Sequence, residues 1–195
     1  MTSATPAQLS AGLAVAHGLV AAVRSEQWTM PTPCTEWDVR ALVSHVVSGN
    51  HLFADVLAGR TTLEEFRRIP SGDVLGDQPV RAFDDSAQAV VAAFELPGVL
   101  EHPVSVPFGT VPGTTALHLR ITEILVHGWD LARAIGQPAG FDDAVVEQEL
   151  QFSRQALTQL PTGRAPFAAP AQASGTAPAI DRLAALLGRE VVTTS

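Results

Sequence analysis

The sequence has no lysine, a single cysteine and no long apolar run, and each absence removes a class of protein. The 12 basic residues are all arginine and are outnumbered by 20 acidic residues, which gives a formal net charge of -8. A surface with that charge repels phosphate backbones and anionic lipids, so neither a nucleic acid nor a membrane is an expected partner. With Cys34 alone, the chain can form neither an internal disulfide nor a thiolate metal cluster, which suits a reducing compartment.

The chain also lacks the features of exported and membrane-spanning proteins. Met1 to Ser10 contain no basic stretch followed by an apolar run, and no segment approaches about 18 uninterrupted apolar residues. These observations predict a cytoplasmic protein. Apolar residues make up 46% of the 195 residues. A chain of this length can remove roughly 70% of its unfolded surface from water as one domain.

Apolar residues recur at steps of three and four along most of the chain, and this period of one helix face predicts an all-α fold. Thr35 is the expected N-cap of the second helix, because Asp38 follows three residues later as its capping partner. Four main helices with connections of varied length favour a four-helix bundle. The predicted helices cover 9–23, 35–58, 83–94, a span from Thr114 or Thr115 to Ile135, 142–160 and 179–187.

Three segments fall outside these helices. Between Val104 and Pro112, valines interrupted by prolines and glycines suit a short strand pair or an ordered loop. Residues 61–79 are irregular, and residues 161–178 form a linker rich in proline, alanine and glycine. We therefore expect 1–160 to form the helical bundle, and 161–195 to form a linker and a short C-terminal helical appendage packed on the same domain.

Glu123 and His127 are the first candidates for chemistry. They lie four residues apart in the fourth predicted helix, so their side chains stand one above the other and can hold a single ion. His45 lies among valine and leucine residues of the second predicted helix, where an imidazole is costly unless a partner satisfies it. A third metal ligand is one explanation for His45.

Two histidines and one glutamate around Zn²⁺ would form a catalytic type of site, because three protein ligands leave one position open for water or substrate. Ni²⁺, Fe²⁺ and Mn²⁺ accept the same donors, and spacing does not choose among them. The spacing also fits a plainer alternative, in which Glu123 and His127 form a solvated pair and His45 is a core residue with a satisfied ring.

Two segments resemble the signatures of a known superfamily. The first is PTPCTEWDVRALVSHVVSGNHLFADVLAG, from Pro31 to Gly59, and the second is ITEILVHGWDLARAIGQP, from Ile121 to Pro138. Both are similar to segments of the DinB-like, mycothiol-dependent maleylpyruvate isomerase superfamily. The ending IDRLAALLGRE, from Ile180 to Glu190, also resembles the actinobacterial metal-binding branch of that superfamily. The similarity therefore extends over nearly the whole chain.

The resemblance implies a DinB-like four-helix bundle that holds a divalent metal ion, usually taken as zinc. Carried over to this chain, the ligands are His45, Glu123 and His127. The resemblance also implies mycothiol, a small-molecule thiol of actinobacteria, as cosubstrate, because a metal-bound thiol loses its proton and becomes a nucleophile. The expected activity is a mycothiol-dependent isomerase or S-transferase reaction on a small electrophile. A non-catalytic metal-binding or sensing module stays open as the alternative.

Four further residues flank these ligands. Arg120 and Asp130 lie three residues to either side of the candidate ligand pair, where they can orient the ligands or form a surface row of ion pairs. Trp37 and Trp129 belong to the two signatures, and they can wall the metal pocket or pack in the core. Related bundles often pair through a helix face, so a homodimer is also possible.

Overall fold

The computed structural model describes residues 3–62, 64–65, 72–106, 109–159 and 168–191. These residues contain six α-helices and one short antiparallel sheet, so the predicted all-α class is confirmed. The sheet pairs β1 (Pro103–Val106) with β2 (Gly109–Pro112), which selects the strand pair over the loop predicted for that segment. The helices are α1 (Pro6–Ala21), α2 (Val39–Leu57), α3 (Pro79–Phe94), α4 (Gly113–Ile135), α5 (Asp143–Gln159) and α6 (Ala179–Leu186).

The hydrophobic core lies between α1, α2, α3 and α4. Helix α2 packs against α3, and α1 packs against both α3 and α4. Helix α4 is central, and most of its residues are buried, including the charged Arg120 and Asp130. Neither of these two side chains has any exposed area, so they do not form a surface row of ion pairs. Helix α6 packs against α5 and α4 at one side of the bundle.

Two helices begin at a proline, earlier than their apolar periodicity predicts. Helix α1 starts at Pro6 and α3 starts at Pro79, where the fixed φ of proline and its missing N–H suit the first helical position. A capping box precedes α1. The Thr5 hydroxyl accepts from the Gln8 amide, and the Gln8 side-chain oxygen accepts from the Thr5 amide. These polar start signals lie outside the apolar face, so periodicity alone misses them.

Helix α2 begins later than predicted, and its N-cap is Asp38 instead of Thr35. The Asp38 carboxylate accepts a hydrogen bond from the Ala41 amide at 2.8 Å. Pro31 and Asp38 form an isolated antiparallel β-bridge, so the residues between them close a turn and cannot be helical. This turn brings Trp37 alongside the first part of α2.

Helix α4 begins at Gly113, one or two residues before the predicted caps Thr114 and Thr115. Backbone carbonyls take the role of a capping side chain, because the Gly113 amide donates to the His102 carbonyl at 2.9 Å and the Thr114 amide donates to the Leu100 carbonyl at 3.0 Å. These bonds satisfy donors that the first turn of a helix leaves free. The sequence could not reveal this cap, because it is made across the β1–β2 hairpin.

The remaining expectations concern the ends of the bundle. Helices α5 and α6 start at Asp143 and Ala179, within one residue of the predicted positions. The predicted boundary at residue 160, part of the 61–79 segment and part of the 161–178 linker lie outside the described residues. None of the helices in the described ranges combines the length and hydropathy that a membrane span requires.

Candidate functional site

His45 of α2 and His127 of α4 meet at the contact between their two helices. Their ring centroids are 5.0 Å apart and the ring planes are nearly perpendicular, at 77°. Trp37 lies against both rings, with its centroid 4.3 Å from that of His45 and 5.6 Å from that of His127. The fold therefore brings together two of the three predicted ligands and one of the two flanking tryptophans.

His127 is held from one side by a carboxylate. Its ring is 5% exposed, and its Nδ1 lies 3.2 Å from Oδ2 of Asp130, which is fully buried. An ionised carboxylate can only accept hydrogen bonds, so the proton of a neutral His127 ring belongs on Nδ1. The second ring nitrogen, Nε2, then keeps the lone pair that a metal or a proton would take.

His45 is kept neutral by its surroundings. Burial, followed by the electrostatic influence of His127, Arg120 and Arg189, lowers the pKa of His45 from 6.5 to about 3. Among the described residues, its ring makes aromatic contacts with Trp37 and His127 but no hydrogen bond. His45 therefore presents a neutral imidazole with an unused lone pair, which is the protonation state that a metal ligand needs.

Glu123 lies one turn before His127 on α4 but is turned toward a different partner. Its side chain is 22% exposed, and its Oε2 accepts a hydrogen bond from Nη1 of Arg120 at 2.6 Å. Within the described residues, no three histidine, cysteine, aspartate or glutamate side chains are grouped so that they could hold a metal ion. The three-ligand site therefore stays a prediction, with the two imidazoles together and the carboxylate paired to an arginine.

Arg120 is a fully buried cation beside the candidate ligands. Its Nε donates to Oδ1 of Asn50 at 3.0 Å, and its Nη2 donates to the Val46 carbonyl at 3.1 Å. Burial lowers the pKa of Arg120, while the neighbouring Glu123 carboxylate opposes that shift. Gly49 makes room for the guanidinium, since a Cβ atom there would overlap Nη1. Sequence reasoning passed over Gly49 and Asn50, although a glycine in the middle of a helix is a signal of close approach.

Asp130 connects the site to the C-terminal part of the chain. Arg189, which follows α6, donates from Nε and Nη2 to the two Asp130 carboxylate oxygens at 3.2 and 2.9 Å. Sequence reasoning missed Arg189, because it lies 59 residues from Asp130 and no spacing rule links them. Trp129 also points to this part of the chain, as its indole N–H donates to Asp181 of α6 at 2.7 Å. Among the described residues, no ring contact joins Trp129 to His45 or His127.

A cavity of about 560 Å³ opens beside His45. Arg40 lines this cavity, where it forms an ion pair with Asp73 and donates to the Gly76 carbonyl at 2.7 Å. Hydrogen bonding from Arg40 holds the pKa of Asp73 below its usual range. The lining mixes an imidazole and an indole with hydroxyl and charged groups, so it offers both apolar surface and hydrogen-bonding groups to a small molecule. It consists of Trp37, Asp38, Arg40, Ala41, Ser44, His45, Ser48, Gly72 and Asp73.

Comparisons with known proteins bear on the same region. A family model described as the mycothiol maleylpyruvate isomerase N-terminal domain matches residues 9–132. Uncharacterized proteins from two strains of Mycobacterium tuberculosis are 34% identical over 174 residues, which is 89% of this chain and 91% of theirs.

Solved structures are similar in fold. The crystal structure of the mycothiol-dependent maleylpyruvate isomerase superposes with a TM-score of 0.58 at 16% identity, over 77% of this chain and 70% of that one. A histidine-to-alanine mutant of that enzyme gives a TM-score of 0.59 at 15% identity with the same coverage. At such identity the likeness establishes the fold alone, and it confirms the predicted DinB-like bundle.

Proposed function

The chain belongs to the mycothiol maleylpyruvate isomerase N-terminal domain family, and from this premise we propose that it is a metal-dependent enzyme that uses mycothiol in an isomerase or S-transferase reaction on a small electrophile. The observation that carries the proposal is the pair formed by His45 and His127. Their ring centroids lie 5.0 Å apart, and His45 borders a cavity of about 560 Å³.

A divalent ion would be held by His45, His127 and Glu123, and the chemistry of these donors fits it. Two neutral imidazoles and one carboxylate suit Zn²⁺, and they also accept Ni²⁺, Fe²⁺ or Mn²⁺. Glu123 would have to share its carboxylate with Arg120 or leave it, because Oε2 is hydrogen-bonded to that guanidinium. When bound, such an ion lowers the pKa of a coordinated thiol, so that the thiolate is present at neutral pH.

Three features of the residues around His45 and His127 support this proposal. The Asp130 carboxylate accepts a hydrogen bond from Nδ1–H of His127 and so orients the ring. Trp37 contacts both imidazoles and places apolar surface beside them. The cavity beside His45 offers Arg40 and the hydroxyls of Ser44 and Ser48 as hydrogen-bonding groups for a polar thiol or its electrophilic partner.

The proposal is tested first by metal content. Tag-free protein is loaded with Zn²⁺, dialysed and measured by inductively coupled plasma mass spectrometry, together with the variants His45→Ala and His51→Ala. His51 lies on the same helix with an exposed side chain, so it is a matched control. We expect about one equivalent of zinc per chain in the wild type and in His51→Ala, and almost none in His45→Ala.

Binding of mycothiol is tested by calorimetric titration of the zinc-loaded protein. Heat of binding that disappears in His45→Ala supports the enzyme, and it justifies a screen of small electrophiles. Zinc retention without any heat would favour the non-catalytic metal-binding or sensing module instead. A wild type that retains no Zn²⁺, Ni²⁺ or Mn²⁺ after reconstitution would contradict both functions.

A further inference from the structure

The C-terminal appendage reaches the candidate site through one side chain. Gly188, with a φ of 85°, turns the chain after α6 and points Arg189 inward, where its side chain is 7% exposed. The guanidinium contacts both carboxylate oxygens of Asp130, and its Nη1 donates to the Leu187 carbonyl at 2.8 Å. A two-point contact of this kind fixes the plane of a carboxylate as well as its position.

Asp130 also contacts His127, so the fixed orientation of its carboxylate affects the orientation of the imidazole. Its Oδ2 accepts from Nη2 of Arg189 at 2.9 Å and lies 3.2 Å from Nδ1 of His127. A fully buried carboxylate is costly unless a cation and hydrogen-bond donors compensate it. Arg189 supplies the cation, so Asp130 can stay in place as the acceptor that orients the imidazole. The three side chains form one continuous chain of hydrogen bonds.

Other contacts hold α6 on the bundle without touching this chain of bonds. Asp181 accepts from the Trp129 indole at 2.7 Å and from Arg133 at 3.1 Å. Arg182 pairs with Glu147 of α5 at 2.7 Å, where both side chains are partly exposed. The appendage therefore has an attachment of its own, and docking of the helix does not depend on Arg189 alone.

From these contacts we infer that the C-terminal appendage is part of the candidate site, and that Arg189 is a positioning residue that acts through Asp130 on His127. The matched family region ends at residue 132, so it does not contain Arg189. The consequence for metal binding rests on the proposed function, since the orientation of His127 matters there only if the ring is a ligand. The hydrogen-bond chain itself can be tested in the metal-free protein.

The test compares Arg189→Met with Arg182→Met, the same change on the same appendage at a site that contacts Glu147. In the metal-free protein, long-range ¹H–¹⁵N spectra of the imidazoles report which ring nitrogen of His127 carries the proton. We expect the Nδ1–H tautomer in the wild type and in Arg182→Met, and shifts averaged between tautomers in Arg189→Met. The zinc dissociation constant, measured by chelator competition, should rise about 10- to 100-fold in Arg189→Met only.

A third variant, Arg189→Lys, covers the case in which Arg189→Met does not fold. The ammonium compensates the Asp130 charge but offers a single contact in place of the fork, so we expect a folded protein with zinc binding between those of the wild type and Arg189→Met. Wild-type affinity in Arg189→Lys, wild-type ring shifts in Arg189→Met, or an equal loss in Arg182→Met would each overturn the inference. Absence of zinc binding in the wild type would contradict the proposed function, while the ring shifts would still decide the role of Arg189.

Discussion

Helix α4 carries two buried histidines with carboxylate partners, and the two differ in what is left for a ligand. At His118, Nδ1 lies 2.9 Å from Oε1 of Glu149, Nε2 accepts from the Ala4 amide at 3.3 Å, and the ring stacks on Phe152 at 4.5 Å. The protein itself occupies both nitrogens and one face of that ring. His118 is therefore a structural residue, which joins α4 to α5 and to the N-terminal segment.

At His127 the protein uses one nitrogen and leaves the other. Asp130 engages Nδ1, while among the described residues no hydrogen bond reaches Nε2. The neighbouring ring is a second imidazole, His45, which borders a cavity. The comparison teaches that the two histidine and carboxylate pairs differ at the second ring nitrogen. At His118 it accepts from the Ala4 amide, and at His127 no hydrogen bond from the described residues reaches it.

The largest expected effect is a loss of stability in His118→Ala. The substitution leaves the fully buried Glu149 carboxylate without its imidazole partner, so we expect the free energy of unfolding to fall by about 3 kcal/mol. Urea denaturation measures the change. His17→Ala is the control, because the His17 side chain is 38% exposed and its ion-pair partner Asp84 is 53% exposed, so the change should cost less than about 1 kcal/mol. If His118→Ala lowers the free energy of unfolding as little as His17→Ala does, His118 does not have the structural role described above.

His127→Ala should show the opposite pattern. We expect zinc binding to weaken by more than about 100-fold, because a lost ligand costs at least as much as a lost orienting partner. The free energy of unfolding of the metal-free protein should fall less than in His118→Ala, since fewer protein groups depend on this ring. Chelator competition measures the zinc affinity, and urea denaturation measures the free energy of unfolding. A zinc affinity equal to that of the wild type would argue against His127 as a ligand.

Gly49→Ala tests how tightly Arg120 is held next to Glu123. The new methyl group would overlap Nη1 of Arg120, so the guanidinium must move, and we expect a loss of about 1 to 3 kcal/mol in the free energy of unfolding. Gly18→Ala on α1 is the control, because a Cβ there meets no atom within 4 Å. If both variants are equally stable in thermal and urea denaturation, the close contact with Arg120 is not energetically important.

The smallest effect should come from Thr122→Val, which removes one of several hydrogen bonds to Glu149. Thr122 Oγ1 donates to Oε2 at 3.1 Å, Gln148 donates to Oε1, and Nδ1 of His118 lies within hydrogen-bond distance of both oxygens. We expect a cost of about 1 kcal/mol in unfolding free energy and no change in zinc affinity. A change in zinc affinity would mean that the two clusters of α4 are coupled, which the comparison does not predict.

Periodicity predicted the helices well because it depends on neighbours three and four residues away. The same reasoning misplaced the start of α2, since the turn that delays it is closed by a bridge between Pro31 and Asp38. Spacing and the resemblance of two segments proposed His45, Glu123 and His127 as ligands, and the fold places the two imidazole rings together. Sequence reasoning assigned no role to His118, because Glu149 lies 31 residues away on another helix.

The sequence by itself therefore determined the all-α class, the family and the candidate ligands, because these depend on local spacing and on segments that can be read directly. Only the tertiary structure decided which polar side chains of α4 have partners. Asn50 lies 70 residues from Arg120, and Arg189 lies 59 residues from Asp130. The free energy of a buried charge depends on the groups packed around it, and packing unites residues that no spacing in the chain connects.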